Sequence, residues 1–192
     1  MPAHWAVGVA THLALCPECR RQARGIEAVA GSLVEDLPAA PLAEGALTQV
    51  LARLDESVTE ASPVPFDPVL PAPLRNELGF GSSDIPWRTL LPGVHEYRLV
   101  RDGDVRMSLL RLMPGHSVAR HGHRGDEMTV VLRGGFEDGT GIFERGDLAV
   151  ADDAVDHRPR ARKDGPCICL IVAERPLRFT GLLGPVFNFF AG

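Results

Sequence analysis

Residues 115–134 read GHSVARHGHRGDEMTVVLRG, and the rest of the chain is arranged around them. His121 and His123 stand two apart, with Glu127 four residues further on. On a strand, a period of two turns both imidazoles to one face. Glu127 keeps that parity, but at ~3.3 Å per residue it lies about 20 Å from His121 along a straight strand, too far to share an ion. The chain must therefore bend, and Arg124-Gly125-Asp126 supplies a glycine for the bend. A fourth candidate, His157, follows Gly146-Asp147 after a polar, acidic stretch. Three imidazoles and one carboxylate suit Zn, Fe, Mn, Ni or Cu, so the donor set alone does not choose the metal. A lone HxH is weak, because surface histidines two apart are common. The ordered set of glycines, HxH, Glu127 and the distant GD…H is more specific.

Gly115-x5-His121-x-His123-x3-Glu127-x6-Gly134 resembles the first motif of the cupin superfamily, small double-stranded β-barrels. Gly146-Asp147 followed by His157 resembles the second. That motif usually carries a Pro and a Gly in the turn before its histidine, where this chain has Asp152 and Ala154. The resemblance implies that His121, His123, Glu127 and His157 ligate one metal in a cupin barrel.

Working outward toward the N-terminus, Ala3 to about Ala14 reads as a helix, apolar at Trp5, Val7, Val9, Ala10 and Leu13. HLALCPEC (12–19) then sets His12, Cys16 and Cys19 in an HxxxCxxC array. Pro17 is tolerated at the first position of a new helix, with Cys16 as its N-cap. His12 is then one turn back from Cys16 and Cys19 one turn on, so the three converge. A thiolate pair at a helix N-terminus is stabilised by the helix dipole. Such ligands imply zinc, with a fourth needed for a closed site. His4 lies eight residues before His12, about 12 Å along a helix, and is not assigned. The competing reading is an inert cysteine pair in a helical core. HxxxCxxC between helices resembles the zinc-binding anti-sigma domain, whose further histidine comes from an upstream helix. The expectation here is that this first helix is missing.

Further helices are expected from apolar spacing at Ile26, Val29, Ala30, Leu33, Val34 and Leu37, ended by Pro38, and at Leu42, Ala46, Leu47, Val50, Leu51, Leu54 and Val58. Such stripes are more often core than partner surface, though a face left over in so small a domain is a docking surface. Residues 61–73, ASPVPFDPVLPAP, carry five prolines and read as an extended spacer that excludes helix. Beyond it, short β-like runs are expected at Trp87–Leu91, His95–Val100, Val105–Met113, Met128–Leu132, Gly135–Glu137, Leu148–Val150, Cys167–Ala173 and Leu177–Phe179. Arg158, Arg160, Arg162 and Lys163 form a small basic run read as a solvated loop. Cys167 and Cys169 alternate onto one face, where a disulfide would be strained, so they read as small buried hydrophobes rather than a redox pair. The apolar tail from Leu182 to Phe190 is expected to pack on the barrel or to make a dimer or interdomain contact.

At 192 residues the chain holds one or two domains, and its 45% apolar content suffices for a core. A net charge of −5 argues against direct nucleic-acid binding. No apolar run approaches the ~20 residues of a membrane span, and no signal-peptide pattern opens the chain. Four cysteines outside any disulfide framework suit the cytoplasm.

The expected fold class is therefore α+β. A small helical zinc-binding anti-sigma domain occupies 1–60, a Pro-rich linker 61–73, and a cupin β-barrel (double-stranded β-helix) 74–192. This order is similar to that of ChrR-type anti-sigma factors. The resemblance implies that the helical domain, held by zinc at His12, Cys16 and Cys19, inhibits an extracytoplasmic-function sigma factor. It also implies that the cupin domain, with zinc or another divalent transition metal, senses oxidants such as singlet oxygen and releases the sigma factor. The alternative is a metal-dependent cupin enzyme, a dioxygenase or isomerase, for which the HxxxCxxC segment has no evident use.

Overall fold

A computed structural model of the chain describes residues 1–54, 56, 65–102 and 105–180. It divides into two compact units, one of Met1–Pro17 with Val64–Gly192 and the other of Glu18–Pro63. The helices are α1 (Ala3–Leu15), α2 (Pro17–Glu35), α3 (Ala46–Ala52) and α4 (Ala72–Leu78). The strands are β1 (Arg88–Leu91), β2 (Val94–Asp102), β3 (Val105–Leu112), β4 (His121–Gly122), β5 (Glu127–Arg133) and β6 (Gly135–Glu137), followed by β7 (Ile142–Glu144), β8 (Leu148–Ala151), β9 (Asp156–His157), β10 (Arg160–Ala161), β11 (Cys167–Ala173) and β12 (Arg178–Phe179).

All strand pairs are antiparallel, in a six-stranded sheet ordered β1-β2-β3-β11-β5-β8 and two three-stranded sheets, β10-β6-β7 and β12-β4-β9. This is the cupin barrel. Central strand β11 reads CICLIVA because both its faces are covered. Cys167 and Cys169 pack inward with Val94, Leu112, Val131, Phe136 and Ala161. Ile168, Leu170 and Val172 face the other way with Met107, Leu109, Met128, Val130 and Leu132, joined by Leu74 of α4 and by Trp5, Val7 and Leu15 of α1. Each buried aliphatic side chain contributes roughly 1.5–3 kcal/mol to such a layer.

Helix α1 groups with the β-containing unit. It comes close to the sheet because Gly8 has no side chain. A Cβ there would stand 2.1 Å from Met128 Cε and 3.4 Å from Val172 Cγ2. Its period therefore serves the sheet, and Gly8, Thr11 and His12 are buried.

The second unit behaves differently. Pro17 opens α2, as the spacing predicts, but α2 runs unbroken to Glu35 and absorbs most of the segment expected as a separate helix. Among its described residues no side chain of α2 or α3 is buried, so the apolar stripes expected as core lie open. Val58 and Pro63 lie outside the described residues.

The proline-rich stretch is also not wholly a spacer. Pro71 caps α4 and Pro73 sits in its first turn, where a missing N–H costs nothing. Val69, Leu70 and Leu74 enter the core. Asp67 fastens this entry. Its carboxylate accepts from the Val69 and Leu70 N–H groups, both at 2.8 Å, and from the Ser82 N–H and hydroxyl, both at 2.7 Å.

The strands expected from alternation are present with small shifts at their ends, while β4, β7, β9 and β10 were not expected. These four, of two or three residues each, carry no alternation that marks them as strands. The basic run expected as a loop contributes β10, whose Ala161 is buried. Cys167 and Cys169 are buried free thiols with Sγ atoms 3.5 Å apart. The tail from Leu182 to Phe190 lies outside the described residues.

Candidate metal centres

The bend expected after the HxH pair is made at Gly125, whose φ of 133° is open to glycine and strained for other residues. A Cβ there would also meet Glu174 Oε2 at 2.9 Å. The bend carries the chain from β4 into β5. Strand β4 pairs with β9, setting His121 directly opposite His157. Two positions 36 residues apart thereby reach one point, and His123 joins them just after β4.

His121, His123 and His157 offer ligand nitrogens within 4.8 Å of one another. His157 Nε2 lies 3.1 Å from His121 Nε2 and 3.2 Å from His123 Nε2. Nδ1 of His121 donates to the Ala119 carbonyl at 2.8 Å, and Nδ1 of His157 donates to Asp138 Oδ2 at 2.7 Å. Both Nε2 atoms therefore face each other, where a cation between them could be held by both. Burial pulls the His121 imidazole down to about 4, against the opposing hydrogen bond to Ala119. Burial, followed by the neighbouring His157, likewise pulls His123 down to about 4. Near neutrality both rings are uncharged donors. Metal–nitrogen bonds of about 2.0–2.1 Å place tetrahedral ligand atoms ~3.3 Å apart, close to the observed spacing. The donor set fits a divalent transition metal.

Glu127, expected as the fourth ligand, is not among the three converging residues. It opens β5 opposite Ala151 and Ala173, which places Oε2 3.6 Å from His123 Nδ1, on the far side of that ring from His157. Burial raises its carboxyl from the ordinary value to about 7, against a hydrogen bond donated by the Thr129 hydroxyl. In this geometry Glu127 stands beside the Nδ1 edge of His123.

The residue that the sequence reading missed is Asp138. Its Oδ1 accepts from the Thr140 N–H (2.8 Å), the Thr140 hydroxyl (2.6 Å) and the Gly141 N–H (3.2 Å), leaving Oδ2 to hold His157. Burial raises this carboxyl, but the bonds from Thr140 and His157 outweigh it and keep it below the usual value. Such a carboxylate fixes the tautomer and orientation of a ligating histidine. The signal lay in Asp138-Gly-Thr-Gly141, a turn sequence directly after β6. In the turn before His157, Asp152 does the work expected of Pro and Gly. Its side chain accepts from Ala154 N–H at 2.9 Å and its carbonyl from Val155 N–H at 3.1 Å.

At the α1–α2 junction, His12, Cys16 and Cys19 also offer ligand atoms within 4.8 Å of one another. Helix α1 closes when the Cys16 N–H donates to the His12 carbonyl at 2.8 Å, and Pro17 then opens α2. His12 Nδ1 is buried with no hydrogen-bond partner among the described residues. An imidazole beside two thiols with one nitrogen unsatisfied fits a soft divalent cation.

The chain is similar to known proteins over most of its length. A family model described as ChrR Cupin-like domain matches residues 76–177. The anti-sigma-E factor ChrR of Cereibacter sphaeroides is 43% identical over 176 residues, covering 91% of this chain and 83% of the relative. The crystal structure of Rhodobacter sphaeroides SigE in complex with the anti-sigma ChrR matches with a TM-score of 0.78 and 40% identity, covering 90% of each chain.

Proposed function

Because the chain belongs to the ChrR family of anti-sigma factors, a family of regulators rather than enzymes, we propose that it binds and inhibits an extracytoplasmic-function sigma factor and releases it under oxidative stress. The observation that carries the inhibitory half is the open apolar face of α2 and α3. Val29 is 64% exposed, Leu33 65% and Val50 60%, with Ile26 and Leu47 also exposed. Scattered exposed leucines are ordinary, but a stripe at helical spacing along two successive helices is a surface waiting for a partner. The likeness to a chain family seen bound to SigE supports a sigma factor as that partner.

In this reading His12, Cys16 and Cys19 hold zinc, which a thiolate pair with an imidazole favours, and brace the start of α2. His121, His123 and His157, steadied by Glu127 and Asp138, form the sensing centre. A divalent ion bound there would supply Lewis acidity and a site open to further ligands. The protein's own contribution is to keep three imidazoles aimed at one point. The residues around them set which oxidant reaches that point.

Leu33→Glu and Val50→Glu test the inhibitory surface. Each puts a charge in the middle of the proposed interface, where an anchor side chain is worth about 2 kcal/mol or more. Sigma binding measured by titration calorimetry should weaken at least ~10-fold, with helix content by circular dichroism unchanged. Wild-type affinity in both variants would remove α2 and α3 from the interface.

A further inference from the structure

The two candidate metal centres are reached from the two faces of one strand end. Strand β5 begins at Glu127, two residues beyond the Gly125 bend and four beyond His123. Its first side chain stands beside the histidine cluster, with Oε2 3.6 Å from His123 Nδ1. Alternation sends the next, Met128, to the other face of the sheet. There Met128 and its cross-strand neighbour Val172 form the seat of α1 at Gly8. A Cβ at Gly8 would stand 2.1 Å from Met128 Cε, so the end of the methionine rests directly on the helix backbone.

His12 follows Gly8 by four residues, one turn on, and lies on the same face of α1. Both are buried. The end of the helix is seated as well. The turn between β7 and β8 brings Gly146 to Leu15, where a Cβ on the glycine would meet the Leu15 Cβ at 3.6 Å and its carbonyl oxygen at 3.7 Å. The Gly146 N–H donates to the Val131 carbonyl at 2.9 Å, so this turn is itself fastened to β5. The helix that carries His12 thus takes its position from β5 at two places. Glu127 and Met128 are the first rungs of β5 with β8 and β11. One more backbone bond, from the Glu174 N–H to the Asp126 carbonyl at 3.0 Å, precedes the turn at Gly125. Strand ends open at lower free energy than strand centres. An ion held by His121, His123 and His157 would tie β4, β9 and the lead into β5 to one point, and so keep the end of β5 closed.

We propose that metal binding at the barrel cluster strengthens metal binding at the α1–α2 junction, with Met128 as the positioning residue between them. The element that both sites bias is the seat of α1. With β5 closed to its end, Met128 and Val172 hold Gly8, and His12 stays beside Cys16 and Cys19. With that end open the seat loosens, and metal arriving at the junction must itself order α1. The coupling is reciprocal, so a filled junction strengthens the barrel site by the same factor. It is also partial, since α1 packs on the core through Trp5, Val7 and Leu15 too. A chain without the barrel metal therefore still fills its junction when metal is plentiful.

This inference rests on both clusters holding metal, as proposed above, and the test reads each site before it reads the coupling. Full-length protein is titrated with Co²⁺. Thiolate-to-cobalt charge transfer reports the junction, and the d–d bands of the imidazole-bound ion report the barrel. In wild type, the site that fills second should be at least ~5-fold tighter than the same site in a protein that lacks the other. The comparison is with His121→Ala for the junction, or with Cys16→Ser for the barrel. Met128→Leu keeps the volume of the layer but shortens the side chain, and should narrow this gap. Met128→Ala should close it. Thermal unfolding shows whether each variant is folded, and where alanine is not, leucine alone decides. Equal affinity with and without the other site would overturn the proposal. So would a gap of full size in Met128→Leu. Absence of either signal from wild type would remove metal from that cluster, and with it both the reading above and the coupling.

Discussion

At the scale of single residues, the imidazole cluster depends on groups that do not themselves converge on it. Asp138 accepts a hydrogen bond from Nδ1 of His157 and so turns Nε2 inward. Asp138→Asn keeps the shape but loses the charge, and its amide oxygen is a poorer acceptor. Metal affinity at the barrel site, measured by competition with a chromophoric chelator, should fall about 10–100-fold. Unchanged affinity would mean that His157 is oriented by packing alone. Asp67 acts on stability. Burial raises its carboxyl, but the four hydrogen bonds from Leu70, Ser82 and Val69 outweigh burial and bring it to about 2. Its folded value lies below the unfolded value near 3.8, so its stabilisation is full above about pH 4. That contribution is lost as the pH falls from about 4 toward 2. Discounted for solvent screening, it is on the order of 1–2 kcal/mol. Asp67→Asn should lower the denaturant midpoint at pH 7, and the gap to wild type should close by pH 2. A gap that stays constant with pH would show that the hydrogen bonds do not depend on the charge.

At the scale of elements, α1 shows how one position settles what a helix does. Its seat on β5 and β11 exists because Gly8 leaves room for Met128 and Val172. Gly8→Val would force the Met128 side chain aside in a packed layer, at about 1–3 kcal/mol. Alanine brings the same Cβ against Met128 Cε, but it adds nothing beyond that Cβ, meets only the flexible end of the methionine, and regains roughly 0.5–1 kcal/mol over glycine in a helix interior. Thermal unfolding should therefore rank wild type above Gly8→Val, with Gly8→Ala much less damaged than valine. Met128→Ala introduced with Gly8→Val should recover part of the loss, since the clash is between these two side chains. Purely additive losses would place the defect elsewhere. Helices α2 and α3 are the contrast, because none of their side chains is buried among the described residues. An apolar period alone does not say whether the partner is in the same chain.

At the scale of the whole molecule, the two candidate metal centres should fail in opposite directions. His121→Ala removes one of three converging ligands in the barrel and leaves α2 and α3 untouched. It should strip the barrel metal and blunt the response to oxidant, while inhibition of sigma-dependent transcription persists. Cys16→Ser should loosen the α1–α2 junction and relieve inhibition without any oxidant. Reporter transcription with and without oxidant, alongside metal content of the purified variants, separates the two. A His121→Ala protein that lacks metal yet responds normally would take the sensing role away from the barrel cluster. Much of this architecture was legible in the chain itself. HxH before a glycine bend, a later GD…H, and HxxxCxxC before Pro17 are local patterns, and strand parity or one helical turn brings their neighbours together whatever else the chain does. The long strands were legible for the same reason, since β-branched and aliphatic alternation is written residue by residue. Only the tertiary structure decided the rest. It placed α1 on the sheet, folded Leu70 and Leu74 out of a proline-rich stretch into the core, set Asp138 against His157, and left the face of α2 bare. Each of these rests on contacts between segments far apart in sequence, and no periodicity within a segment records which distant surface will cover it.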